Sequence, residues 1–289
     1  MIYTATDLDG TLLAPTDGDL RSLTSLCAGT ALPRPIVIAS SRPLADLRRI
    51  FGFSVEPIYV VSNDGATCYR MTGERIEFLG ATATLDLNAL RLFVNADRTR
   101  GLPLPLIFGA WEGKETVYYP ADPRQQVAAL IRLTPDRDYR EYSAHNDAQD
   151  LRIGAIRAFS FFVKENARDR LTHNARVLAA ELGGAKVLSY PDTRLSGTGW
   201  VEIVHENLDK VLGLGFLGAA GILGNKYIAF GNAWNDLQML GKAAFSCVPS
   251  DAEPRVLEIA SLVSPAPGGA MFCDWLQEHL FAAVKHVLS

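Results

Sequence analysis

Short apolar strands alternate with helices near both ends of the sequence, and this alternation constrains the fold more than any other feature. The strand-like runs are apolar or β-branched, and turn-forming residues follow most of them. Such alternation is typical of right-handed β-α-β units and a parallel sheet. The predicted strands cover residues 2–6, 35–39, 57–62, 226–230, 245–248 and 262–263, and the predicted helices cover 20–28, 43–51 and 274–287, with a glycine-rich helix after Lys210.

The middle of the chain predicts a separate α+β module. Its strand-like runs and helices do not continue the parallel pattern, which is predicted to return near Trp200 with a core strand over 199–205. We therefore predict a discontinuous core of residues 1–81 and 193–289, with an α+β insert at 82–192. Within the insert we predict strands at 105–111, 116–120, 158–163 and 186–190 and helices at 123–133 and 166–182. A polar stretch covers 134–150, and its part at 139–150 is either a specificity loop or simply exposed.

Composition and charge indicate a soluble globular protein. Of the 289 residues, 48% are hydrophobic and 21% are charged, which is enough for a sizeable core. A net charge of −4 provides no basic field for nucleic acid, and the apolar run at 211–224 is too short and too glycine-rich to span a membrane. The N-terminus shows no secretory signal pattern, and the cysteines are widely spaced, so we expect reduced thiols in the cytoplasm. The oligomeric state is left open.

Two aspartates one residue apart follow the first predicted strand. Residues i and i+2 of an extended chain project to the same side, so Asp7 and Asp9 should lie together where Gly10 allows a turn. Such a pair can bind a divalent cation and leave an oxygen free to attack, while the hydroxyl of Thr11 can orient a carboxylate or a phosphate. A solvated Asp-Asp-Gly turn is the alternative.

Polar residues also follow other elements predicted at the same edge of the sheet. They are Ser40, Lys210 and the segment 232–236. In open parallel sheets, ligands bind beyond the carboxyl ends of the strands. A carboxylate can attack phosphorus, a second carboxylate can carry the proton, and a hydroxyl, an ammonium group and a cation can bind the phosphoryl oxygens. The sequence therefore predicts a phosphoryl-transfer site at this edge.

These places resemble, in order, the four motifs of the haloacid dehalogenase (HAD) superfamily, which consists mostly of Mg²⁺-dependent phosphohydrolases. The resemblance implies an α/β fold with a Rossmann-like parallel-sheet core, and the insert resembles a C2-type cap. With Asn63-Asp64-Gly65 before that insert, the chain is similar to the Cof-like and sugar-phosphatase branch, subclass IIB. The matching motifs are Asp7-Leu8-Asp9-Gly10-Thr11, Ser40-Ser41-Arg42, Lys210 and residues 231–240.

The resemblance implies a role for each matching residue. Asp7 is the implied nucleophile, giving an aspartyl-phosphate, and Asp9 is the implied general acid and base. The implied substrate is a small phosphorylated metabolite, most simply a sugar phosphate. The implied phosphate-binding residues are Thr11, Ser40, Lys210 and Asn235, and the implied Mg²⁺ ligands are Asp7, Asp9 through its backbone carbonyl, Asn232 and Asp236.

Asn232 departs from the family pattern, which usually has Gly-Asp at the start of the fourth motif. An amide oxygen can still bind Mg²⁺, but it contributes less charge than a carboxylate. Three interpretations therefore stay open. The chain is a phosphatase, a phosphosugar mutase of the same superfamily, or a catalytically weak HAD protein that binds or regulates.

Several other residues carry weaker signals. Residues 213–218 fit Gly-x-Gly-x-x-Gly, but a helix rather than a strand is predicted before them, so we expect a flexible core helix. Arg42 is expected to start a helix and form a salt bridge. Asn63 and Asp64 suit a structural turn and a substrate contact equally. Candidate specificity residues of the insert are Trp111, Lys114, Arg157, Lys164, Arg194 and Trp200.

Overall fold

A computed structural model describes residues 2–14, 20–52, 54–85, 102–111, 114–120, 138–142, 155–192 and 195–288. The protein is a mixed α/β protein with a parallel-sheet core. Its residues form two compact units, one of Met1–Thr82 with Asp209–Ser289 and the other of Ala83–Leu208. The predicted helix at 123–133 lies outside the described residues.

The described elements follow one another in this order: β1 (Ile2–Thr6), α1 (Arg21–Ala28), β2 (Ile36–Ala39), α2 (Leu44–Phe51), β3 (Ile58–Ser62), β4 (Thr67–Thr72), β5 (Arg75–Ala81), β6 (Leu106–Trp111), β7 (Lys114–Pro120), β8 (Asp138–Tyr142), β9 (Ala155–Lys164), α3 (Glu165–Leu182), β10 (Ala185–Pro191), β11 (Thr198–His205), α4 (Lys210–Ala219), β12 (Lys226–Phe230), α5 (Leu237–Lys242), β13 (Phe245–Val248), α6 (Pro254–Ile259), β14 (Leu262–Val263) and α7 (Ala270–Leu288). Short 3₁₀ turns lie at Asn63–Gly65 and Trp234–Asp236.

An eight-stranded sheet organises the larger unit, in the order β14-β13-β12-β1-β2-β3-β4-β5. Neighbouring strands from β14 to β3 are parallel, as the alternation of strands and helices predicts. The strand β1 lies between β12 and β2, so the residues that follow these three strands share one edge of the sheet. That edge is where the sequence predicts the functional site.

Alternating side chains of the central strands pack into cores on the two faces of this sheet. On β2, Ile36 and Ile38 join one buried cluster, while Val37 and Ala39 join the other. Burial on both faces explains why these strands read as continuous apolar runs rather than as an alternation with polar residues.

The strands β4 and β5 form an antiparallel hairpin that sequence analysis did not assign. The strand β4 pairs with β3 as well as with β5, and Gly73 supplies the turn with a φ of 55°. After β3 the chain makes no further helical crossover, so the parallel pattern stops at Gly65 as expected. The sheet itself continues through the antiparallel strands β4 and β5.

A six-stranded sheet organises the smaller unit, in the order β10-β11-β9-β6-β7-β8. One face packs against α3 through apolar residues such as Phe159, Ile203 and Leu178. Part of the polar stretch at 134–150 is a strand that the sequence did not predict: β8 occupies Asp138–Tyr142 and pairs with β7. Its polar sequence suits the edge of a sheet, where charged residues discourage further pairing.

The prediction that the core resumes near Trp200 was also wrong. The strand β11 pairs antiparallel with both β10 and β9, and the smaller unit extends to Leu208 rather than to residue 192. A short buried apolar run looks the same in either sheet, because hydrophobic pattern reports burial and not the identity of the neighbouring strands. Among the residues that the structure describes, no helix is both long and apolar enough to cross a membrane.

Candidate active site

Asp7 lies at the centre of the predicted edge. It directly follows β1, and its backbone N–H donates to the carbonyl of Phe230, the last residue of β12, at 2.9 Å. Asp9 and Asn232, which each lie two residues beyond this hydrogen bond, are thereby brought close together. Parallel pairing of β1 with β12 thus joins two motifs separated by more than 200 residues of sequence.

Lys210 connects two carboxylates in the interior of the larger unit. Its ammonium nitrogen donates to Oδ1 of Asp7 at 2.6 Å and to Oδ1 of Asp236 at 2.7 Å. The side chains of Lys210 and Asp236 are fully buried and that of Asp7 is 8% exposed. Lys210 is the first residue of α4, and Asp209 caps that helix by accepting from the N–H of Val211 at 2.9 Å.

Burial and charge act in opposite directions on these groups. Burial raises the pKa of Asp7 well above its usual value, the Lys210 ammonium opposes this rise, and the negative charges of Asp236 and Asp9 reinforce it. Burial alone would lower the pKa of Lys210, but Asp7, Asp236 and Asp64 together raise it above its usual value. A positively charged ligand beside Asp7 would favour the ionised carboxylate further.

Three oxygen atoms surround the end of the Asn232 side chain. The amide atom that faces them lies 3.0 Å from the backbone carbonyl oxygen of Asp9, 3.0 Å from Oγ1 of Thr11 and 3.3 Å from Oδ2 of Asp7. Thr11 also donates to Oδ2 of Asp7 at 3.1 Å. If the amide nitrogen faces these atoms, it can donate a hydrogen bond to each of them. If the amide oxygen faced them instead, it would lie against the Asp9 carbonyl oxygen and Oδ2 of Asp7, which are both acceptors.

A divalent cation would find suitable ligands here if the Asn232 amide turned its oxygen toward Asp7 and Asp9. Carboxylate, amide and carbonyl oxygens are ligands that Mg²⁺ prefers, and the amide atom that faces Asp7 and Asp9 lies 3.3 and 3.0 Å from their oxygens. Such a site would use one carboxylate oxygen of Asp7, the carbonyl oxygen of Asp9 and the amide oxygen of Asn232. Over the described ranges, no three His, Cys, Asp or Glu side chains are grouped to hold a metal. A cation at this place would therefore need the Asn232 amide oxygen and the Asp9 carbonyl oxygen as ligands beside the Asp7 carboxylate.

Two glycines allow the loops to meet. Gly10 has a φ of 79°, and a Cβ there would lie 2.3 Å from the nearest atom of the Asn232 amide. Gly268 approaches from the loop before α7, where a Cβ would lie 2.0 Å from the carbonyl oxygen of Gly10. A side chain at Gly10 would force the first and fourth motifs apart, and one at Gly268 would push the loop before α7 away from the first motif.

The sequence predicts Asp236 as a Mg²⁺ ligand, but in the structure its carboxylate accepts hydrogen bonds from protein groups. Its Oδ2 accepts from the backbone N–H groups of Asn232 and Ala233 at 2.9 and 3.1 Å, and its Oδ1 accepts from Lys210. Both oxygens thus hold the loop after β12 and the lysine in place. This arrangement favours a positioning role for Asp236 over direct metal binding.

The carboxylate of Asp9 faces Arg42, while its backbone carbonyl faces Asn232. Nε of Arg42 donates to Oδ2 of Asp9 at 2.7 Å and Nη2 donates to Oδ1 at 2.6 Å. The expected salt bridge of Arg42 is therefore confirmed, and its partner is a predicted catalytic residue. Of the two Asp9 groups, only the carbonyl lies among the candidate metal-binding oxygens.

Ser40 and Asn235 contact the neighbouring loops. Ser40 is fully buried at the end of β2, where its Oγ accepts from the backbone N–H of Arg42 at 3.1 Å. Nδ2 of Asn235 donates to Oδ1 of Asp64 at 3.1 Å. Asp64 has a left-handed backbone with a φ of 53°, and its N–H donates to the carbonyl of Ser40 at 3.0 Å. These contacts hold both predicted phosphate-binding residues at the shared sheet edge.

Polar residues of the smaller unit are engaged with one another. Glu202 is 4% exposed and accepts from Ser160 at 2.6 Å and from Tyr190 at 2.7 Å, and it pairs with Arg157 at 3.3 Å. Nε1 of Trp200 donates to Asp192 at 2.7 Å. Such buried networks favour structural roles for Arg157 and Trp200 among the specificity candidates. The side chains of Trp111, Lys114 and Arg194 lie outside the described residues.

Sequence reasoning missed the specific partners of Arg42 and the approach of Gly268. The Ser40-Ser41-Arg42 motif signalled a loop at the sheet edge, but nothing local identified Asp9 as the partner of the guanidinium. The Gly268-Gly269 pair signals a close backbone approach without naming the loop that is approached.

Comparison with known proteins identifies the family of this chain and structures that share its fold. A family model described as haloacid dehalogenase-like hydrolase matches residues 4–267. A haloacid dehalogenase-like hydrolase from Bacteroides thetaiotaomicron is 19% identical over 99% of each chain, with a TM-score of 0.65. TM0651 from Thermotoga maritima is 17% identical over 96% of this chain and 97% of its own, with a TM-score of 0.71.

A third solved structure, the sugar phosphatase BT4131 of HAD subclass IIB, is 19% identical over 99% of each chain, with a TM-score of 0.62. At these identities the structures establish a shared fold. Among curated proteins, none matches the sequence significantly. Because the family model spans most of the sequence, the chain belongs to the haloacid dehalogenase-like hydrolase family.

Proposed function

We propose that this hydrolase is a Mg²⁺-dependent phosphohydrolase that removes phosphate from a small phosphorylated metabolite, most simply a sugar phosphate. One observation carries the proposal. A buried carboxylate, Asp7, is held by Lys210 at 2.6 Å and Thr11 at 3.1 Å, beside the Asn232 amide and the backbone carbonyl of Asp9. A carboxylate in this position can attack phosphorus as a nucleophile, and the neighbouring donors can stabilise the negative charge of the phosphoryl group.

In the proposed reaction, an oxygen of Asp7 attacks the phosphorus atom while the ester P–O bond breaks. Asp9 gives a proton to the departing alkoxide oxygen, which leaves as an alcohol. Water then attacks the phosphorus of the aspartyl-phosphate, Asp9 takes one proton from that water, and the bond to Asp7 breaks. The products are the alcohol and inorganic phosphate, and both aspartates return to their starting states.

Positive charge and hydrogen-bond donors would bind the phosphoryl group. An ammonium group has three donors, and Asp7 and Asp236 accept from Lys210, which leaves a third direction for a phosphoryl oxygen. We propose that Ser40, Thr11 and Asn235 complete this binding. When bound to Asp7, the Asp9 carbonyl and Asn232, Mg²⁺ supplies charge that offsets the repulsion between carboxylate and phosphate.

The proposals for substrate class and cellular location draw on a structural neighbour and on the cysteines. One structural neighbour is a sugar phosphatase, which suggests a sugar phosphate as substrate, and we propose that residues 83–208 form the specificity-setting cap. The four cysteines are free and buried, which suits a reducing cytoplasm.

A phosphatase screen tests the proposal. Purified protein is incubated with Mg²⁺ and with p-nitrophenyl phosphate or a panel of phosphorylated metabolites, and phosphate release is measured with and without EDTA. We expect Mg²⁺-dependent release with preference for a sugar phosphate. Release that requires a sugar bisphosphate activator would instead identify a mutase, and no turnover of any ester would indicate a binding protein.

A further inference from the structure

Arg42 holds the carboxylate of Asp9 at both of its oxygens. The two hydrogen bonds, 2.7 Å from Nε and 2.6 Å from Nη2, place the planar guanidinium parallel to the carboxylate edge. A contact at one point would fix only the distance between the groups. Contact at two points also fixes the rotation of the carboxylate about its own axis.

The backbone of Arg42 is itself held on both sides. Its N–H donates to Oγ of Ser40 at 3.1 Å, and its carbonyl accepts from the N–H of Asn63 at 3.2 Å. Ser40 is fully buried and Asn63 is 5% exposed, so both partners belong to the rigid edge of the sheet. The guanidinium therefore extends from a fixed base.

The ion pair of Arg42 with Asp9 is expected to add little to the free energy of unfolding. The side chains of Arg42 and Asp9 are 33% and 44% exposed, and ion pairs at such exposure contribute little to folding. The same unit contains a comparable pair, in which Nε and Nη2 of Arg48 donate to Oε2 of Glu74. That pair is 54% and 74% exposed and includes no candidate site residue.

We propose that Arg42 is a positioning residue for Asp9, which it aims toward the phosphoryl group on Asp7. The inference rests on the proposed function, since only a proton-transferring Asp9 needs a fixed direction. Arg42 would act through Asp9 rather than on the phosphoryl group, because its Nε and Nη2 donate to the Asp9 carboxylate. The rival role is direct binding of the substrate phosphate by the guanidinium.

Steady-state kinetics separates these roles. For Arg42→Ala we expect kcat to fall about 10- to 100-fold, a part of the usual contribution of general acid–base catalysis, with KM changed less than about threefold. Added guanidinium ion should restore part of the lost kcat, and Arg42→Lys should lie between the wild type and Arg42→Ala. The matched control Arg48→Ala should stay within about twofold of the wild type.

A double-mutant cycle tests dependence on Asp9. In an Asp9→Asn background, Arg42→Ala should cause no further loss, because the group that Arg42 positions is already disabled. Multiplied losses, or a raised KM with unchanged kcat, would overturn the inference.

Crystal structures give a result that does not depend on turnover. In Arg42→Ala the Asp9 carboxylate should lose its single orientation, whereas in Arg48→Ala it should keep it. If the wild type hydrolyses no phosphate ester, the proposed function fails and the catalytic part of the inference fails with it; a reoriented Asp9 would then show only that Arg42 holds the carboxylate. If the wild type is active and Asp9 stays in place without Arg42, the positioning inference fails alone.

Discussion

The ammonium nitrogen of Lys210 lies 2.6 Å from Oδ1 of Asp7, with both side chains in the interior of the larger unit. The pair is balanced by Asp236, which lies 2.7 Å from the same nitrogen. Removing the Lys210 ammonium would leave two carboxylates close together in a site shielded from water. The proposed catalytic site and the stability of the fold therefore depend on the same residue.

Lys210→Met should destabilise the protein. We expect a loss of about 3–5 kcal/mol in the free energy of unfolding, because one partner of a buried ion pair is removed. Urea denaturation followed by circular dichroism measures this change. The exposed Lys242, at the end of α5, offers the control, since Lys242→Met should change stability by no more than about 0.5 kcal/mol. Equal effects of the two substitutions would contradict the described burial of Lys210.

Asp7→Asn should abolish hydrolysis and leave the fold intact. The amide is nearly isosteric with the carboxylate but cannot attack phosphorus, so we expect kcat to fall by about 10³-fold or more. Lys210 keeps Asp236 as a partner, which limits the structural cost. Hydrolysis of p-nitrophenyl phosphate gives the rate, and circular dichroism verifies folding. Activity near that of the wild type in a folded variant would show that another group is the nucleophile.

Asn232→Asp should tighten Mg²⁺ binding, by roughly tenfold, because ligand charge sets cation affinity. Without Mg²⁺ the same variant should melt at a lower temperature than the wild type, since a further carboxylate joins Asp7 where an amide can donate. Calorimetric titration and thermal melts measure the two effects. Asn235→Asp, in the same loop but facing Asp64, should change Mg²⁺ affinity much less. Weaker Mg²⁺ binding by Asn232→Asp would exclude residue 232 as a ligand.

The buried cysteines should resist thiol reagents in the native state. Burial raises the pKa of the Cys27, Cys68 and Cys247 thiols to about 12, so they stay protonated and weakly nucleophilic at pH 8. Titration with a chromogenic disulfide reagent should be slow in buffer and rapid in urea. Rapid reaction in buffer would mean that the cores around these residues open readily.

The sequence was sufficient to predict the parallel sheet and the meeting of Asp7, Lys210 and Asn232, because strand ends of a parallel sheet share one edge. It was not sufficient to assign β11, whose apolar residues suit any central strand. Nor could it reveal that Asp236 holds Lys210 and the loop after β12, or that Arg42 faces Asp9. Those contacts join distant segments, and local pattern carries no signal for the partner.

The central claim is that Asp7 receives the phosphoryl group, and chemical trapping tests it most directly. The wild type is mixed with Mg²⁺ and its preferred phosphate ester, quenched during turnover and treated with borohydride, which reduces an aspartyl-phosphate to homoserine. Peptide mass spectrometry then locates the modified residue. We expect homoserine at position 7, and none in Asp7→Asn. Modification at a different residue, or an unmodified position 7 during rapid turnover, would contradict the account.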